Sequence, residues 1–136
     1  MEGVLVDSSV ILDVFLDDPR WGGWAEDTLS RLSSAKALYI NPIIYAEVSI
    51  GFEGIEELEE ALLGCGFLMR EIPKEALFLA GKAFLSYKHL KGKKLFPLPD
   101  FFIGAHAAIE RLELVTRDVK RIRTYFPTVN ILSPYP

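Results

Sequence analysis

The feature that most narrows the fold is a short apolar run at residues 4–6. It ends on an acid, Asp7, and passes through Ser8 and Ser9 straight into apolar residues at helical spacing, Val10, Ile11, Val14 and Phe15. Such a run reads as a buried strand that turns at once into a helix. The pattern recurs down the chain. Strand-like runs at about 3–7, 37–40, 67–72, 112–116 and 129–132 alternate with helical patterns at about 9–17, 21–34, 42–52, 54–63, 73–90, 99–111 and 118–125. Alternating strands and helices imply right-handed βαβ crossovers and a mainly parallel sheet with both faces covered. The expected fold is α/β, three layers in the order α/β/α, with about five strands in the central sheet. Without an internal repeat, linker or low-complexity stretch, residues 1–136 are expected to form one domain.

Composition removes several function classes. Half the residues are hydrophobic, too many for a disordered chain. No apolar run reaches the roughly 18 residues of a membrane span, and the N-terminus lacks the pattern of a signal peptide. A single cysteine, Cys65, allows no intrachain disulfide and is expected to be a small buried residue. A cytoplasmic protein with no membrane partner is the expectation. The net charge of −4, from 15 basic and 19 acidic residues, does not describe a general nucleic-acid binder. Its distribution says more. Residues 76–99 contain no acid but hold Lys82, Lys88, Lys91, Lys93 and Lys94, and a second basic cluster is Arg117, Lys120, Arg121 and Arg123. Local basic patches attract polyanions to one face.

Four acids stand out. Asp7 and Asp118 each follow a strand, where ligands sit in open parallel sheets. Glu47 lies within an apolar helical stretch, sharing a face with Ile43 and Ile50. Asp100 opens a helix whose same face carries Ile103 and Ala107. Each has a plain structural alternative: Asp7 and Asp118 as helix N-caps, Asp100 as a first-turn acid favoured by the helix dipole, and Glu47 as a solvated helix residue. Gathered in one crevice, four carboxylates would raise one another's pKa. A hard divalent ion such as Mg²⁺ or Mn²⁺ removes that penalty. His89, His106 and one cysteine do not make an ordinary zinc site. They are expected to be a loop side chain and a helix-surface or core histidine.

With these residues in place, the chain resembles the PIN-domain nucleases, and among them the VapC-type toxin ribonucleases of toxin–antitoxin pairs. The resemblance rests on Val6-Asp7-Ser8-Ser9-Val10, on Asn41-Pro42 with Glu47, on Pro99-Asp100-Phe101-Phe102-Ile103-Gly104-Ala105-His106-Ala107, and on Leu114-Val115-Thr116-Arg117-Asp118. It implies a Mg²⁺- or Mn²⁺-dependent endoribonuclease. Asp7, Glu47, Asp100 and Asp118 match the family's acidic quartet, and Ser8 and Thr116 match its hydroxyl positions beside the site. Asp7, Asp100 and Asp118 are the expected metal ligands, with Glu47 positioning a water or a second ion. Lys91, Lys93, Lys94, Arg121 and Arg123 are the expected RNA contacts. The partners implied are RNA, an antitoxin protein and a second copy of the chain. For the latter two, Phe15, Leu16, Trp21 and Trp24 are the candidate apolar surface, with core as their alternative. A haloacid-dehalogenase-type phosphatase also starts on a strand ending in Asp but wants a second acid where Ser9 stands. A phosphoaspartate receiver wants clustered early acids and a late lysine, for which Lys120 is poorly placed. A catalytically weak PIN-like module that only binds RNA or protein remains the closest competitor.

Overall fold

Strand β1 (Gly3–Val6) is buried at every position, as a strand covered on both faces must be. On one side of it lie β2 (Ala37–Ile40) and β3 (Phe67–Met69), on the other β4 (Glu113–Val115) and β5 (Ile131–Leu132). The sheet has five strands in the order β3-β2-β1-β4-β5, and every pairing is parallel. The computed structural model describes residues 3–91 and 98–135. Among the described residues, seven α-helices join the strands: α1 (Ser8–Phe15), α2 (Gly22–Ser33), α3 (Pro42–Val48), α4 (Ile55–Gly64), α5 (Lys74–Lys91), α6 (Pro99–Glu110) and α7 (Val119–Tyr125). No helix among them is long and apolar enough to cross a membrane.

The chain winds outward from β1 through β2 to β3, then crosses back to lay β4 on the free side of β1. The strand order therefore reverses between β1 and β4. At such a switch point the two outgoing turns diverge and leave a crevice beyond the carboxyl ends of the strands. Asp7 and Thr116 are the residues that leave those two strands.

The crossover helices are seated by aromatic packing. Phe101, fully buried in α6, has its ring 5.6 Å from Phe84, 5.5 Å from Tyr87 and 5.3 Å from Tyr125. Rings at these spacings in edge-on or tilted contact hold α5, α6 and α7 together. Gly104, one turn further along α6, lets the helix approach α7: a Cβ there would fall 2.4 Å from the Phe126 ring. The residue just before Phe101 is Asp100, so the same packing locates that carboxylate.

Three sequence expectations need correction here. The strand expected over 67–72 stops at Met69, because the Arg70 N–H makes the last sheet bond, to the Ile40 carbonyl, and Pro73 soon follows. The helix expected over 42–52 leaves α geometry at Val48 and closes in a 3-10 turn, Ser49–Gly51. That tighter turn rotates Ile50 off the buried face, leaving it 83% exposed. Cys65 is exposed rather than buried, since it terminates α4 on the surface ahead of Gly66, whose φ of 79° makes the turn into β3.

Candidate functional site

Asp7 occupies the N-cap position of α1, but its side chain makes no capping bond. Its backbone does that work: the carbonyl accepts from the N–H groups of Val10 and Ile11, and the Asp7 N–H donates to the Val115 carbonyl of β4 at 2.9 Å. The carboxylate is thereby left for the crevice. Its Oδ2 accepts from the Thr116 hydroxyl at 2.7 Å and from the Ser9 hydroxyl at 3.2 Å. Ser8 donates to Glu47 Oε1 at 2.7 Å and stands 3.4 Å from Asp7 Oδ1. Thr116 in turn accepts from the Asp118 N–H at 2.9 Å. Asp118, Thr116, Asp7, Ser8 and Glu47 thus form one connected chain of polar groups. Asp118 also lacks a side-chain capping bond to the helix it precedes. The capping alternatives for Asp7 and Asp118 therefore describe their backbones and not their carboxylates.

Glu47 reaches the crevice because Asn41 and Pro42 set the start of α3. The Asn41 Oδ1 accepts from the Ile44 N–H at 2.8 Å, and proline stands in the first turn, where its missing N–H is harmless. Asp100 arrives in the first turn of α6, opened by Pro99. Arg121, on α7, donates to both Asp100 and Asp118, the latter at 3.2 Å.

The electrostatics join all four acids. Burial pushes the Asp100 carboxyl up to about 6; Arg121 opposes that rise, and Asp7, Asp118 and Glu47 add to it. Burial likewise raises Asp7 against the lowering effect of the Thr116 and Ser9 hydroxyls, with Asp118 adding to the rise. Burial also raises Glu47, with Asp7 contributing. Each of these acids is thus raised in part by the charge of a neighbouring one.

The donor set consists of hard oxygens, which suits Mg²⁺ or Mn²⁺ and disfavours softer metals. Among the described residues, no three His, Cys, Asp or Glu side chains are gathered closely enough to hold a metal ion as they stand. Asp100 and Asp118 are closed instead on the Arg121 guanidinium.

The basic residues expected to contact RNA divide in their placement. Arg121 turns inward to the carboxylates, whereas Arg123 is exposed and lines an open cleft with Arg117 and Lys120 beside Asp118. The Lys91 side chain, Lys93 and Lys94 lie outside the described residues. Of the candidate apolar surface, Phe15 and Trp24 pack against the core and only Leu16 is largely exposed, at 61%. Trp21 is half-buried, with its ring against Tyr135 and the Arg20 and Arg117 guanidinium groups over it.

Two supporting networks escaped the sequence reading. Arg117 makes a two-pronged bond to buried Asp13 on α1, at 2.8 and 3.1 Å, and so fixes the turn between Thr116 and Asp118. Deeper in, the Asn41 amide meets His106 Nδ1 at 3.0 Å, and His106 Nε2 meets Glu110 at 2.8 Å. Arg70 closes the network on the same Glu110 oxygen. Because Asn41 Oδ1 already accepts from Ile44, its amide nitrogen faces the ring, so Nδ1 accepts and Nε2 carries the proton. The His106–Glu110 spacing of four was a visible helical signal; its burial was not.

Burial lowers the His106 pKa, despite the opposing pull of Glu110. A group whose neutral form is favoured in the fold adds stability above its unfolded pKa, and that stability is lost as pH falls below it. Urea unfolding of wild type should therefore weaken on acidification below about pH 6.5 more steeply than that of His106→Gln. Parallel pH profiles for the two proteins would remove His106 from the account.

Comparison with known proteins agrees with this architecture. The PIN domain family model matches residues 4–127. Among solved structures, the chain is similar to VapBC2 from Rickettsia felis bound to a DNA fragment from its promoter, with a TM-score of 0.72, 18% identity and 96% and 97% of the two chains covered. It is similar to a toxin–antitoxin complex from Klebsiella pneumoniae, with a TM-score of 0.71, 22% identity and 98% of each chain covered. FitAcB from Neisseria gonorrhoeae follows with a TM-score of 0.66, 20% identity and 97% and 98% covered. No curated protein matches the sequence at significance. With its five parallel strands, the carboxylates at their switch point and a family match over most of its length, the chain belongs to the PIN-domain family.

Proposed function

We propose that this protein is a divalent-metal-dependent endoribonuclease and the toxin of a toxin–antitoxin pair. The observation that carries the reading is that four carboxylates, from four separate segments, are linked through Thr116, Ser8 and Arg121 at the β1/β4 switch point. Asp7, Asp100 and Asp118 would hold the ion. Asp7 is oriented for this by Thr116 and Ser9, and Glu47 is oriented by Ser8 to position the attacking water. Bound Mg²⁺ or Mn²⁺ supplies an acidified water and charge stabilisation at the scissile phosphate. Lys120 and Arg123, on the cleft beside Asp118, and the lysines Lys91, Lys93 and Lys94 ahead of α6 would draw in the flanking phosphates. An antitoxin partner is supported by the toxin–antitoxin complexes among the similar structures, and a homodimer is the accompanying proposal.

Calorimetric titration with Mn²⁺ tests the site. Wild type should bind the ion, and Asp100→Asn should weaken binding by roughly 10–100-fold or more. A folded wild type that binds no Mn²⁺, with Arg121→Gln binding none either, would overturn the nuclease reading in favour of a PIN-like binding module.

A further inference from the structure

Arginine is seldom withdrawn from solvent unless paired. The Arg121 side chain is only 17% exposed, and it lies against two of the four carboxylates. Its position is set locally. Asp118 and Arg121 are three residues apart at the start of α7, so they meet on one helix face. Asp100 comes to the same guanidinium from α6, across the ring packing of Phe101 and Tyr125. Among the described residues, Thr116 and Ser8 link Asp118, Asp7 and Glu47, and Asp100 enters the group through Arg121.

We propose that Arg121 is a built-in counter-cation of the metal-free site, one that a divalent ion must displace. The proposal rests on the metal-dependent reading above. Two facts argue for exchange rather than coexistence. Both acids turn oxygens to one guanidinium nitrogen, so an ion bridging Asp100 and Asp118 would need the space that nitrogen fills. A cation placed beside a divalent ion is also repelled by it. The guanidinium lies against both carboxylates, so without it their like charges would face each other uncompensated. The contact thus occupies the place of the ion and raises the metal concentration needed to fill the pocket. It accounts for a carboxylate site whose members are electrostatically joined but not gathered around a common point.

The test is Mn²⁺ calorimetry on the full chain, with wild type, Arg121→Gln and Asp100→Asn in parallel. Arg121→Gln removes the charge and keeps a polar side chain. It should bind Mn²⁺ about tenfold more tightly than wild type, while Asp100→Asn binds more weakly. Tight binding by Arg121→Gln with none detectable in wild type would support the proposal equally. Wild-type binding that Arg121→Gln leaves unchanged or weakens would overturn the proposal and leave the metal site standing. No binding by either protein would overturn both. Should Arg121→Gln not fold, the Nε–Hε resonance of Arg121 in wild type decides: it should shift as Mg²⁺ saturates the site, and a resonance that stays fixed at saturation would overturn the exchange.

Discussion

Asp7→Asn should give a folded protein that has lost RNA cleavage by at least about a hundredfold, the upper end of what removing a mere supporting partner costs. Asp7 is the hub of the polar chain, touching Thr116, Ser9 and Ser8 and lying at the end of the central strand. Its charge is held in the fold against burial, which raises its pKa. A carboxylate whose folded pKa is raised is destabilising above its unfolded value, so neutralising it relieves the fold at neutral pH. The Thr116 and Ser9 hydroxyls can still donate to the remaining amide oxygen. Urea midpoints at pH 7 should therefore be equal to wild type or higher while cleavage falls. Full activity in Asp7→Asn would remove this residue from the site. Low activity together with a lower urea midpoint would make its role structural.

Asn41→Ala should be the most damaging of these substitutions for stability, by roughly 2–4 kcal/mol. Asn41 is fully buried and serves two elements at once: its oxygen caps α3, and its amide nitrogen satisfies buried His106 on α6. Alanine loses the cap and leaves the imidazole acceptor without its partner. Asn41→Ser separates the two losses, because serine caps a helix well but cannot reach the ring. The serine variant should lose about half as much in a urea titration. Equal losses for the two would mean that the cap contributes nothing. Since α3 carries Glu47 and α6 carries Asp100, both variants should also lower metal affinity.

How much of this was readable beforehand follows from where each signal resides. Strand and helix order was legible because burial writes a local pattern: β1 is a short continuous apolar run, and α1 carries apolar residues at helical spacing. The four acids were legible because each interrupts an apolar pattern or ends a strand. Asn41-Pro42 was legible because a cap and a first-turn proline act on neighbouring residues. The pairing of Arg121 with Asp100 was not legible because the two are 21 positions apart. No local pattern reports a pairing across two helices. The Arg117–Asp13 clamp spans 104 positions and was hidden for the same reason. Ile50 and Cys65 were misjudged because hydrophobicity predicts average burial, whereas their exposure depends on how the chain leaves α3 and α4.

The placement of β4 has a consequence for the timing of synthesis. Chains emerge from the ribosome N-terminal end first. The β1–β2 pair can form early, but β1 waits for its second neighbour until most of the chain has been made. Only then does the Asp7 N–H find Val115, and only then are Thr116 and Asp118 present to complete the polar chain. Pairing over so long a sequence separation is slow. The polar chain from Asp118 to Glu47 is therefore among the last features of the fold to be completed.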